Sequence, residues 1–449
     1  MPKVQFIGQS EQDSGNIAAN PSRLINCYLE PVGAGGATSW AVRSVPGATQ
    51  FCDLSSILGR ALVEVNDTLY AASGARLHSI DEAGVSTDLG AIKDDAETIL
   101  DGYGQNVMVA ADGSYYVYDG STLAEVTGGA FANVGAVTFL SGYTILTEKS
   151  GSKFEWTDLQ APKTRNALNV ATAEARDDKL RRPMAVGGNL YLFGEKSIEI
   201  WYVTGSAGAA AFARLSGGVI DTGLRSKRLI AQVDNAAFFI GDDNTPYIIS
   251  GASVAPIFHS GVQTSLATNT PTDCHYYEHR GHKFCVIRFS DRPAWIFDLT
   301  TKRWHERALG SEHTPWDVAG IAKAYGSWQT INASSVVSKL SETNQDLGAT
   351  MLRRAVSNTL ENGGDPFSPT LEIRARKGFQ SSTVDLIAQF SGDGGATWSE
   401  PDPRSIGTAG NFDERAVWYE GTYESFTAMI DIAAAEEVPI YADAYVSVA

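Results

Sequence analysis

The sequence predicts an all-β protein: a β-propeller of roughly six or seven blades, followed by a C-terminal antiparallel β-sandwich-like domain. Three observations lead there. Short apolar or aromatic alternations, separated by Gly, Asn and Asp, run through nearly all of the 449 residues. The strand–turn–strand unit recurs about every 40 to 50 residues, the period of a propeller blade. The 44 glycines and 16 prolines follow no collagen-like period and so mark tight turns. A hydrophobic content of 43% is enough to fill a sizeable core.

Taken in order, residues 1–57 form an N-terminal segment expected to pack on or complete the propeller. The propeller itself is expected over 58–349. Its clearest hairpins are "DTLYAASGARLHSID" (67–81), "NVMVAADGSYYVYDG" (106–120) and "GGNLYLFGEKSIEIWYVTG" (187–205). "NAAFFIGDDNTPYIIS" (235–250) and "HKFCVIRFSDRPAWIFDLTTKRWHER" (282–307) follow, with weaker units at 139–156 and 322–340. A blade cannot hide both faces alone, so blades must stack around an axis. Two stretches read as helical: "NVATAEARDDKLRRP" (169–183), stopped by Pro183, and "TMLRRAVSNTLENGG" (350–364), taken as a linker. Period-two alternation then resumes over 365–449, the sandwich-like domain.

Composition excludes several classes. A formal net charge of −17 disfavours a protein that grips phosphate backbones, while leaving room for one that DNA passes without sticking. Four scattered cysteines (Cys27, Cys52, Cys274, Cys285) make no disulfide framework. The opening "MPKVQFIGQS" lacks an apolar signal core, and no run reaches membrane-spanning length. The expectation is a protein assembled in a reducing cytoplasm, without membrane insertion.

Four constellations deserve a chemical test. "SGDGGATWSE" (391–400) carries Ser391, Asp393, Gly395 and Trp398 at the spacing of an Asp-box, the hairpin found in sialidases and other propeller-built glycosidases. Its logic is local: Gly394 and Gly395 permit positive φ, Asp393 and Ser391 tie the turn, and Trp398 is expected to plug the hairpin from beneath. A sialidase would also need repeated boxes, an arginine cluster and an Arg-Ile-Pro, which does not occur. "DCHYYEHRGHKFC" offers Cys274, His275, His279, His282 and Cys285, zinc-ligand types at no standard spacing; the competing reading is a hairpin with a buried cysteine. In "DLTTKRWHER" (298–307), similar to a kelch-type turn, His305 and Glu306 alternate faces and are expected at the surface. In "GEKSIEIWY", Glu195, Lys196 and Glu199 are expected on a solvated face. The cations of "KLRRP" (179–183) and "RSKR" (225–228) either touch DNA or a partner, or balance local carboxylates. No Walker loop, dinucleotide fingerprint or nucleophile elbow is present, and no cofactor, metal or catalytic residue is assigned.

The order of pieces adds a resemblance. "NPSRLINCYLEPV", "RSVPGATQF", "LYAASGARLHSI", "GEKSIEIWYVTG" with "GGVIDTG", "AWIFDLTTKRWHER", the Asp-box hairpin and "ERAVWYEG" together resemble the packaged-DNA stabilisation proteins of short-tailed phages, also called tail hub or nozzle proteins. The resemblance covers nearly the whole chain. It implies a non-enzymatic virion protein in a hexameric ring below the portal and the head-to-tail adaptor. Packaged DNA would pass through the lumen, and tail spikes or fibres and a tail needle or plug would attach. The alternative is a carbohydrate-binding or carbohydrate-cleaving propeller, such as a depolymerase or lectin.

Overall fold

The computed structural model describes residues 3–11, 21–33, 38–55, 58–412 and 415–448. Among them, seven blades ring an axis. The first is Gly59–Val65, Thr68–Ser73, Arg76–Ile80 and Ser86–Ala91; the second is Ile99–Tyr103, Asn106–Ala111, Ser114–Tyr118 and Leu123–Glu125. The third runs from Val134–Leu140 to Ala161–Thr172, the fourth from Leu180–Val186 to Phe212–Ile220, and the fifth from Ile230–Val233 to Ser253–Pro256. A helix, Ser260–Thr268, leads into the sixth: Pro271–His279, His282–Phe289, Ala294–Asp298 and Arg303–Leu309. The seventh has three strands of its own, Gly320–Ala324, Ser327–Ile331 and Val336–Ser341, and takes its fourth, Gly47–Asp53, from the N-terminal segment.

Strand alternation explains why these segments pack this way. Along Asn106–Ala111, Val107, Val109 and Ala111 enter the cleft toward the first blade. Met108 and Ala110 enter the opposite cleft, toward the third. A strand buried on both faces reads as continuously apolar, and so it does here. The same device repeats around the ring, giving one apolar cluster for each of the seven clefts between neighbouring blades. Turns close the hairpins with left-handed residues, for example Asn66 and Asp67 at φ 52° and 58°, a conformation that suits Asn and Asp.

An eighth cluster lies in a two-sheet module. One sheet orders Cys27–Pro31, Trp40–Ser44, Ile440–Val448, Pro369–Ala375 and Ala416–Tyr419. The other places Arg23–Ile25, Arg353–Val356, Ser425–Ile432, Asp385–Ser391 and Asp402–Ser405 side by side. Ile25 also pairs in parallel with Glu306, so this second sheet is continuous with the sixth blade.

Three expectations need correction. Residues 169–183 are not helical: they span the end of the long edge strand Ala161–Thr172 and the start of Leu180–Val186. The expected linker 350–364 holds the strand Arg353–Val356, paired on both sides, and the short strand Leu360–Glu361. The N-terminal segment serves both units: Gly47–Asp53 closes the propeller, while strands before it build the module. The pairings of Arg23–Ile25 with Arg353–Val356 and of Gly47–Asp53 with Val336–Ser341 join residues more than 280 positions apart, which local patterning does not register.

Candidate functional site

The innermost strands of the blades surround an axial cavity of about 340 Å³. Cations from the fourth and fifth blades cross it like spokes. Arg228 bonds Asp273 through Nε, the Thr98 carbonyl through Nη1 at 3.1 Å and the Ala319 carbonyl through Nη2 at 2.6 Å. One side chain from the fifth blade thus reaches the second, sixth and seventh. Arg288 holds the other Asp273 oxygen at 2.9 Å and reaches Asp317 at 3.3 Å. Burial raises the pKa of Asp273, but Arg228, His275 and Arg288 outweigh it and hold the carboxyl down at about 2. Lys227 pairs with Glu97 at 3.2 Å, and Arg182 donates to the Lys227 carbonyl at 3.1 Å.

The two basic stretches thus send Arg182, Lys227 and Arg228 toward the axis, while Lys179 is exposed and Arg181 pairs with Glu195 at 3.4 Å. Arg225 donates to Asn244 Oδ1 and the Leu266 carbonyl, both at 2.7 Å. Arg228 stitches blades together and, Arg182 apart, the cations at the axis balance local carboxylates. A run of Lys and Arg in sequence does not tell an outer patch from an axle, because side-chain direction depends on which end of an inner strand the run occupies.

A second concentration of charge joins the sixth blade to the two-sheet module. Glu306, fully buried, accepts from Arg23 at 2.7 and 2.8 Å and from Arg292 at 2.7 Å. Burial would raise its pKa; the two guanidiniums prevail and lower it. Arg307 donates to Asp346 at 2.6 Å and to Asn26 Oδ1 at 3.0 Å. His305 lies between Tyr28 and Phe284, and burial pushes its pKa down to about 3. The surface placement expected for His305 and Glu306 is thus corrected: Arg23–Ile25, docking beside this strand, covers what would otherwise be a sheet edge.

Glu199 also departs from its expected solvated face. It is buried, accepting from the Ala175 N–H at 2.7 Å and the Trp201 indole at 2.9 Å. Glu195 pairs with Arg181 at 3.4 Å, and Lys196 is exposed. The cysteine–histidine stretch does not converge. Cys274 and Cys285 lie in the cleft between the fifth and sixth blades. His282 bonds Asp298 at 2.7 Å, His279 faces Glu342 at 3.8 Å, and His275 borders the axial cavity. Among the described residues no group of three or more His, Cys, Asp or Glu side chains could hold a metal ion.

In the Asp-box hairpin, Ser391 Oγ accepts the Gly395 N–H at 2.8 Å and donates to Asp393 at 2.7 Å. Asp393 in turn accepts the Thr397 N–H at 2.9 Å and its hydroxyl at 2.6 Å. These bonds, the Thr397 hydroxyl foremost, lower the Asp393 pKa. Gly394 and Gly395 sit at φ 72° and 93°. Trp398 is only half-buried and stands outside the module core; the indole buried there is Trp418, donating to the Asp402 carbonyl at 3.0 Å. The expected plug is corrected accordingly.

A family model described as bacteriophage P22 Gp10, β-propeller, matches residues 16–345. No curated protein matches the sequence. Among solved structures, a streptogramin B lyase aligns over 65% of this chain and 96% of its own, at 11% identity and a TM-score of 0.46. The Pan2 WD40 domain of Neurospora crassa aligns over 66% and 95%, at 8% identity and 0.46. BamB of Moraxella catarrhalis aligns over 76% and 98%, at 10% identity and 0.41.

Proposed function

The chain belongs to the phage packaged-DNA stabilisation family of P22 Gp10 propellers, and from that membership we propose that it is the subunit of a tail nozzle. In this reading copies form a six-membered ring below the portal and head-to-tail adaptor. The ring retains the packaged genome, borders the ejection path, and anchors spikes or fibres and a needle or plug. The role is structural, without catalysis.

The observation that carries the reading is the family match across the propeller. The axial geometry adds a constraint. The axial cavity, about 340 Å³, is small beside a duplex whose major groove alone is roughly 12 Å wide. Arg228 also crosses it. In this reading the DNA path runs between the copies of the ring rather than along a propeller axis. The net charge of −17 suits a wall that releases DNA rather than gripping it.

The test is assembly. Mixed with portal–adaptor complexes, the chain is expected to bind as a closed ring, read by mass photometry as a discrete added mass of six copies. Failure to bind the adaptor end would overturn the reading. So would release of sugar from a surface polysaccharide by the purified chain.

A further inference from the structure

One charge in the axial cavity forms no ion pair among the described residues. Arg228 is engaged by Asp273 and two carbonyls. Arg182, also in the cavity wall, makes a single hydrogen bond to the Lys227 carbonyl, forms no ion pair among the described residues, and keeps a buried Nε without a partner. The carboxylate whose charge reaches it, Asp101, lies outside the lining and is occupied. It accepts the Gly102 N–H at 2.7 Å, and the Thr138 hydroxyl and Phe139 N–H at 2.9 Å. Burial together with the charge of Arg228 pushes Arg182 down to about 10, so two guanidiniums repel each other across the space.

The remaining lining groups leave that charge standing. His275 borders the cavity with a buried, unpartnered Nε2, and burial lowers it to about 4, so it is neutral at pH 7. Glu64 is exposed, with Oε1 turned to the Asp67 N–H at 2.6 Å. Water would satisfy donors but not the charge, and an uncompensated buried cation is costly. The volume holds roughly ten waters at about 30 Å³ each, ample for a tetrahedral ion. A planar guanidinium matches two oxygens of such an ion at once.

We propose that the axial cavity is a binding site for one small oxyanion of the phosphate or sulfate class, held by Arg182 with Arg228 and neutral His275 beside it. Bound there, the ion relieves the repulsion between two arginines and ties the fourth blade to the fifth across the axis.

The probe is inorganic phosphate, measured with the full chain by equilibrium dialysis at fixed ionic strength. One saturable site per chain is expected, displaced by sulfate, with affinity falling about tenfold or more in Arg182→Met, the cost of a lost charge-assisted contact. Absence of saturable binding, or unchanged affinity in the variant, overturns the proposal. Should that variant fail to fold, the unaltered chain crystallised with selenate decides. Anomalous density beside Arg182 supports the site; its absence from the axis overturns it.

Discussion

The clefts between blades and the joint between propeller and module are built from opposite materials. The cleft between the fourth and fifth blades is filled by Met184, Phe193, Ile198, Ile230 and Phe239, with no ion pair needed. The joint rests on Glu306 between Arg23 and Arg292, and on Arg307 donating to Asn26. Repeated apolar clefts spread stabilisation over seven similar interfaces, each tolerant of small change. A single buried carboxylate between two guanidiniums concentrates it, because removing one partner leaves bare charge behind. The difference teaches where the chain is replaceable and where it is not.

The largest effect is expected from deleting residues 1–53, which removes the closing strand Gly47–Asp53 and the module strands before it. The cooperative thermal transition should disappear in calorimetry; a surviving sharp transition would mean the propeller closes without that strand. Next, Glu306→Ala should cost about 3–5 kcal/mol in denaturant unfolding, since Arg23 and Arg292 stay buried without it. By contrast Ile287→Val, in the apolar cleft between the fifth and sixth blades, should cost only about 0.5–1.5 kcal/mol. Equal losses in the two variants would erase the distinction between charged joint and apolar cleft.

Acid should weaken the joint. His305 is held neutral with a pKa near 3 against 6.5 unfolded, so the unfolded chain binds more protons between those values. Glu306, lowered from 4.5, acts in the same direction. Stability should therefore fall as pH drops below about 6.5, and His305→Phe should flatten that slope in a pH series of unfolding midpoints. The smallest effect belongs to the exposed Asp-box turn: Asp393→Ala removes its bonds to Thr397 and should leave the propeller's own unfolding transition unmoved in calorimetry.

The propeller was legible because each hairpin is local: "NVMVAADGSYYVYDG" contains its own two strands and its own turn. The module was legible only in its C-terminal part. Arg23–Ile25 pairs with Arg353–Val356 and with Glu306, and neither partner leaves a mark in the N-terminal sequence. The same gap misplaced Glu306 and His305, which read as surface until a distant strand covers them. Arg228 was visible as a cation but not as an axle, since only closure of the ring puts Thr98, Asp273 and Ala319 within its reach.

A reconstruction of the virion tail with this chain placed in it bears most directly on the nozzle reading. The account predicts a ring of copies below the portal, DNA density in the lumen between them, and each propeller axis crossed by Arg228. Absence of the chain from the tail, or nucleic acid threaded through a propeller axis, would contradict it.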